Sequence, residues 1–187
     1  MAITRMSIDG YGQVEINNCA FRRDGRIEAQ CAPNTADFAT AKVENGMLLS
    51  VNNIKREVAF PTDSAYPVAL VYSAEHMYDE RKDGLKDFAL NGKDDFLPRL
   101  GYLSVGDKYT TNCISYDSAS DSTWTSESAF ESALASYATT PLYAGIASNG
   151  THKISAAEPT VGPKLRVINY TTMPDGQKAV KLQVYSC

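Results

Sequence analysis

The placement of glycine is the feature that most constrains the fold of this chain. Seven of the twelve glycines directly follow Asn or Asp, at positions 10, 25, 46, 84, 92, 150 and 176. An Asx-Gly pair favours a tight hairpin turn, because both residues adopt positive φ at little steric cost. Turns at these intervals separate segments that have the length of short strands. The sequence therefore predicts a β-rich scaffold that is built from hairpins.

Alternation of polar and apolar residues marks the strands around the first clear turn. Residues 13–16 and 26–31 alternate on either side of Asp24-Gly25, and this predicts a hairpin with that turn at its tip. In such a hairpin Cys19 and Cys31 could face each other, and the sequence leaves open whether they are bonded.

Two further turns are expected to join neighbouring strands, at Asn45-Gly46 and at Asp175-Gly176. After the second of these, residues 179–185 alternate, so one face of that strand is predicted to be buried. The run at residues 67–72 is continuously apolar, and this predicts a strand that lies in the core.

One segment has the period of a helix, near residues 126–138. Ser128 and Glu131 have the spacing of a capping box at its start. Together with the strands, this segment predicts a mostly antiparallel β-barrel or sandwich that carries one short α-helix. The apolar residues that recur at the spacing of one helix face are Phe130, Leu134 and Tyr137.

The length of the chain suits one domain, so residues 1–187 are predicted to form a single β-rich domain. Two segments interrupt its pattern of strands. Residues 73–96 are dense in charge and are interpreted as a surface excursion, and a loop of that length is usually functional. Residues 117–140 are interpreted as an inserted Ser- and Asp-rich linker followed by the short helix.

The residues that most often catalyse reactions or bind metals are few and scattered. The four cysteines lie far apart without a Cys-x-x-Cys pair, so reduced thiols are expected rather than a zinc site. His76 lies among carboxylates but has no partner nucleophile, and His152 follows a turn and is expected to be exposed. We therefore predict a protein that is not an enzyme and that has no catalytic residue, metal site or cofactor.

The charge balance excludes some classes of partner. The net charge of −4 argues against binding to nucleic acid, which requires a basic face. No run reaches the roughly 18 apolar residues of a membrane span, and the first eleven residues lack the apolar core of a signal peptide. The sequence predicts a protein that is made in a cytoplasm, without nucleic acid or a membrane as its partner.

Two regions are predicted to contact a protein partner. Arg22, Arg23 and Arg26 form the densest basic cluster, which is either a solvated hairpin tip or a contact for an acidic surface. The charged excursion supplies the other candidates. These are His76, Tyr78, Arg81, Phe88 and Phe96.

Four segments have the form of short β-units, at residues 43–51 (VENGMLLSV), 58–61 (VAFP), 99–112 (RLGYLSVGDKYTTN) and 172–177 (TMPDGQ). They resemble the β-units of head-associated proteins of tailed bacteriophages. The resemblance runs over most of the chain, which is similar to small virion proteins in phages of gut bacteria. It implies a β-rich capsid decoration protein, which binds the outer surface of an assembled capsid and stabilises it.

The resemblance also implies a partner and a location. The partner is the lattice of the major capsid protein, bound by a homo-oligomer or by many symmetric copies. The location is the capsid surface of the virion, after synthesis in the cytoplasm of the bacterial host. A structural position in the tail or neck is the nearest alternative. A carbohydrate-binding β-module is an alternative from another class, since Trp124 and the eleven tyrosines could stack on sugar rings.

Overall fold

The computed structural model describes residues 4–61, 67–73, 97–116, 124 and 126–187. Most of the predicted excursion and linker, at residues 74–96, 117–123 and 125, lies outside this part of the chain. The helices are α1 (Ala20–Asp24) and α2 (Glu127–Ala135). The strands are β1 (Thr4–Arg5), β2 (Val14–Asn18), β3 (Ile27–Glu28), β4 (Ala32–Pro33), β5 (Leu48–Asn52), β6 (Glu57–Ala59), β7 (Val68–Val71), β8 (Leu100–Gly101), β9 (Lys108–Thr111), β10 (Ile114–Tyr116), β11 (Tyr143–Ile146), β12 (His152–Ser155), β13 (Lys164–Thr172) and β14 (Lys178–Ser186).

The described strands form two open sheets. One has eight strands in the order β1-β10-β12-β11-β13-β14-β9-β2, and the other has six in the order β3-β8-β7-β5-β6-β4. Neighbouring strands run antiparallel, except for the parallel pairs β10–β12 and β4–β6. The predicted mostly-β fold is confirmed, and its form is that of a sandwich, because neither sheet closes into a barrel.

The main core lies between the two sheets. Leu48 and Leu70 of the six-stranded sheet share one apolar cluster with Tyr109 of the eight-stranded sheet. Full burial of a large apolar side chain stabilises the fold by roughly 1.5–3 kcal/mol, so this cluster accounts for much of the driving force. The predicted alternation in β14 is confirmed from Val180 onwards, because Val180, Leu182 and Val184 are buried while Lys181 and Gln183 are partly exposed. Ala179, at the start of the strand, is buried as well.

A second core covers the opposite face of the six-stranded sheet. Leu49 and Val71 pack there with Phe38 and Val43, which lie in the long connection between β4 and β5. Because both faces of β5 and β7 are buried, their sequences LLSV and VALV are apolar without strict alternation. The core strand predicted within residues 67–72 is thereby confirmed.

Asp175-Gly176 forms a hairpin turn, as predicted. β13 and β14 pair antiparallel on either side of it, and the Met173 amide donates to the Gln177 carbonyl across the turn. Gly176 has a φ of +90°, which residues with a side chain rarely adopt. Asn45-Gly46 is also a turn, but β5 pairs with β6 and β7 rather than with the residues before that turn.

Asp24-Gly25 is not the tip of a hairpin, and the prediction at this position is wrong. It ends α1, a helix that the sequence patterns did not indicate, and Gly25 adopts a φ of +70° with its amide donating to the Phe21 carbonyl. Glycine at positive φ is common at the end of a helix as well as in a hairpin. The flanking strands go to different sheets, since β2 pairs with β9 and β3 with β8.

The cysteines are free thiols, as predicted. Cys19 belongs to the main core and Cys31 to the second core, so the two do not face each other across a hairpin. Burial raises the pKa of Cys19 and of Cys113 to about 12. These two thiols therefore stay protonated at neutral pH and act as small apolar side chains.

α2 lies within the predicted helical segment, but its cap differs from the prediction. Ser126 is the N-cap, and its Oγ accepts a hydrogen bond from a first-turn amide at 3.3 Å. The capping box predicted for Ser128 and Glu131 is therefore wrong. The apolar face is confirmed, because Phe130 and Leu134 are fully buried in the main core.

Candidate binding surfaces

Three of the predicted contact residues are exposed together at the end of α1. Arg22 and Arg23 lie in its last turn, where the helix dipole favours positive charge, and Arg26 directly follows the glycine cap. Arg23 pairs with Asp24 at 2.7 Å, in a contact exposed enough to contribute little to stability. We call the exposed group of Arg22, Arg23 and Arg26 the arginine face.

The helix that carries Arg22 and Arg23 is anchored to the rest of the protein. α1 has only five residues and is too short to be stable by itself. Its Phe21 is fully buried, and the ring contacts Tyr72 with centroids 4.8 Å apart. The buried Asp107 carboxylate accepts hydrogen bonds from the Ala20 and Ser104 amides at 2.7 and 2.8 Å. Tertiary contacts rather than helix propensity therefore hold the arginines in place.

The remaining predicted contact residues lie outside the described residues. They are His76, Tyr78, Arg81, Phe88 and Phe96. Of the aromatic residues considered for sugar binding, Trp124 is buried and packs edge-on against Phe130 at a centroid distance of 5.3 Å. Trp124 therefore belongs to the core and has no face free to stack on a sugar.

His152 is fully buried, so the prediction that it is exposed is wrong. It lies on β12, and its Nε2 is 3.4 Å from the hydroxyl of the equally buried Tyr109. Burial lowers the pKa of His152 to about 3, and the backbone of Gly46 offsets this only in part. The imidazole is neutral at physiological pH and forms part of the interior between the sheets.

An open groove crosses the outer face of the eight-stranded sheet. Three residues on neighbouring strands form the centre of this groove. Tyr143 on β11 lies opposite Arg166 on β13, and Arg166 lies opposite Gln183 on β14. Residues opposite each other on one face have Cβ atoms about 4.5–5.5 Å apart. We call this site the tyrosine groove. It has a volume of about 350 Å³, and the side chains that line it include Val105, Tyr143, Glu158, Arg166, Gln183 and Tyr185.

The tyrosine groove combines aromatic surface with both signs of charge. The rings of Tyr143 and Tyr185 have centroids 6.1 Å apart and planes inclined by 55°. Lys164 contacts the Glu158 carboxylate at 3.1 Å, and its hydrogen bond lowers the pKa of that carboxyl. Burial and the neighbouring Glu158 raise the pKa of Tyr185 to about 12. At neutral pH the groove therefore contains the Glu158 carboxylate and the uncharged phenol of Tyr185, together with the Arg166 guanidinium and the Tyr143 ring.

The tyrosine groove was not predicted from the sequence. A signal was present, because Arg166 and Gln183 occupy the polar positions of alternating strands, beside buried Leu165 and Leu182. The sequence contains nothing, however, that places β11 beside β13, and it is this pairing that brings Tyr143 to the site.

Other kinds of site find no support in the described part of the chain. There, no group of three His, Cys, Asp or Glu side chains could hold a metal ion. The described helices are also too short or too polar to cross a membrane. Comparison with known proteins finds no matching family model, no matching curated protein and no matching solved structure. The chain is thus defined by its fold, a mostly-β sandwich of two open sheets.

Proposed function

We propose that the chain is a non-catalytic structural protein that binds the outer surface of an assembled phage capsid. The observation that supports this best is the arginine face, which is exposed while the helix beneath it is firmly anchored. A preorganised surface loses little conformational entropy on binding, so it suits a protein that adds to a preformed lattice. The resemblance to head-associated phage proteins supplies the identity of that lattice.

The distribution of charge favours a protein partner over nucleic acid. The chain has a net charge of −4, and the arginine face is a small basic area on this acidic background. Binding to nucleic acid uses many phosphate contacts over a broad basic face. Guanidinium groups pair well with carboxylates, and arginine is enriched at protein interfaces. The arginine face therefore fits an acidic patch on a capsid protein.

The states of the reactive side chains support a role without catalysis. A general base or nucleophile must reach its substrate and needs a pKa matched to the working pH. In the described residues, burial lowers the pKa of His152 to about 3, which makes it a very weak base, and raises the pKa of Cys113 to about 12, which keeps the thiol protonated. Both side chains are fully buried, where they serve packing.

The composition of purified virions is the direct test. We expect mass spectrometry to detect the protein in virions, and its absence from them would reject the proposal. Copy number separates the capsid shell from the tail or neck alternative. Hundreds of copies would indicate the shell, whereas about six to twelve would indicate the portal axis, because copy number follows the symmetry of the assembly.

Charge reversal tests the arginine face itself. Arg22→Glu should weaken binding to purified capsids about tenfold, because a like charge would then face the acidic patch. Lys178→Glu is the matched control, since it makes the same change at an exposed position at the start of β14. Equal binding by the two variants in a co-sedimentation assay would show that the arginine face is not the contact.

A further inference from the structure

We propose that the tyrosine groove, whose described lining includes none of the three arginines of the arginine face, binds an acidic saccharide, a sugar ring that carries a carboxylate. Its volume of about 350 Å³ lies at the lower end of the roughly 300–1,000 Å³ that small-molecule clefts occupy. Its composition also fits such clefts, which combine aromatic walls with a few converging polar groups. This proposal rests on the residues of the groove and not on the proposed capsid binding.

The two tyrosines supply the surface on which a ring can rest. Tyr143 and Tyr185 are both partly exposed, and their planes meet at 55° rather than stacking face to face. Each ring therefore keeps apolar area that a ligand can cover. The Tyr143 hydroxyl can bond to a polar group at the rim, whereas the Tyr185 hydroxyl is buried beside Glu158. This arrangement suits a ligand with apolar C–H faces and polar edges, which is the character of a pyranose ring.

Arg166 and Gln183 supply unused hydrogen-bonding groups. Within the described part of the chain neither side chain makes a hydrogen bond or an ion pair. The planar guanidinium of Arg166 matches a carboxylate in a bidentate geometry. Gln183 lies opposite it on β14 and offers both a donor and an acceptor for sugar hydroxyls.

Glu158 favours ligands that can donate hydrogen bonds to its carboxylate. Its carboxylate accepts hydrogen bonds but cannot donate them, and the contact with Lys164 at 3.1 Å partly balances its charge. A ligand that satisfies both Arg166 and Glu158 therefore combines an anionic group with hydrogen-bond donors on one small framework, and the tyrosine rings favour donors that are carried on a ring. A fatty acid has no hydroxyl donors beside its carboxylate, and a neutral sugar has no anion. A sugar acid has both.

A glycan array probed with the full chain tests this assignment. The array should contain glycans that end in uronic or sialic acid together with their neutral methyl esters. We expect binding to the acids that is about tenfold tighter than to the matched esters, which is the usual effect of one charge-assisted hydrogen bond. Absence of binding to any glycan, or equal binding to acids and esters, would overturn the proposal.

Two variants identify the side chains responsible. Arg166→Gln should remove the preference for acids over esters, and Tyr143→Ala should weaken binding to both forms. Arg22→Gln is the matched control, because it neutralises an exposed arginine outside the groove and should leave glycan binding unchanged. If Arg166→Gln kept the full preference for acids, the groove would not be the site. Capsid binding by Arg166→Gln, measured in parallel, keeps this result separate from a failure of the capsid proposal.

Discussion

The two sheets of this protein differ in how many of their faces are covered. The six-stranded sheet is buried on one face by the eight-stranded sheet and on the other by the connection that carries Phe38 and Val43. The eight-stranded sheet buries its inner face, while its outer face presents polar side chains and the tyrosine groove. The six-stranded sheet therefore mainly contributes to packing, whereas the eight-stranded sheet keeps one face that a ligand can reach.

Removal of Phe38 should have the largest effect, because it opens the covered outer face of the six-stranded sheet. The ring is fully buried and lies 4.6 Å from the ring of Phe60, centroid to centroid. Phe38→Ala should lower the free energy of unfolding by about 3–5 kcal/mol, measured by denaturant titration. Gln183→Ala, on the open face of the other sheet, should change it by less than about 0.5 kcal/mol. Similar small losses for both variants would contradict the comparison.

A methyl group at Gly46 tests the tight contact between the two sheets. There, φ is +85°, and a Cβ would lie 2.9 Å from the Cys113 Cβ and overlap the Thr111 hydroxyl. Gly46→Ala should lower the free energy of unfolding by about 2–4 kcal/mol, through backbone strain and overpacking together. The control is Gly176→Ala, where φ is +90° but the space is open, so only about 1–2 kcal/mol should be lost. The measurement is thermal unfolding. An equal loss of unfolding free energy in the two variants would show that the contact of Gly46 with Thr111 and Cys113 can relax.

Acid should lower the stability of the fold through His152, which is buried between the two sheets. Near neutral pH this is the smallest of the three effects. The folded protein keeps the imidazole neutral down to a pKa of about 3, whereas the unfolded chain takes up a proton near the ordinary value of 6.5. Below pH 6.5 the unfolded state therefore binds more protons, and stability should fall by about 1.4 kcal/mol per pH unit. Above pH 6.5 the group has no effect.

The variant His152→Gln isolates this contribution from that of other titrating groups. Its urea midpoint should fall less steeply than that of the natural chain between pH 7 and pH 5. Parallel slopes for the two proteins would show that the imidazole takes up its proton in the folded state, and would contradict its complete burial.

The sequence by itself determined the class of fold and much of its local structure. Alternation in β14, the turn at Asp175-Gly176 and the apolar face of α2 were all predictable, because each depends on backbone conformation and side-chain direction within a few residues. The buried strand at residues 67–72 was predictable for the same reason, since a continuous apolar run needs two covered faces.

Only the tertiary structure decided what role a local sequence pattern plays and which side chains are buried. Positive φ at Gly25 serves a helix cap as well as a hairpin, and the choice depended on the anchoring of α1 by Asp107, which is distant in sequence. His152 and Trp124 are buried because other elements pack around them. The residues next to them in the sequence do not indicate that packing. Strand order likewise brings Tyr143 to the tyrosine groove. Local sequence sets the conformation of each segment, whereas burial and proximity are set by contacts between segments.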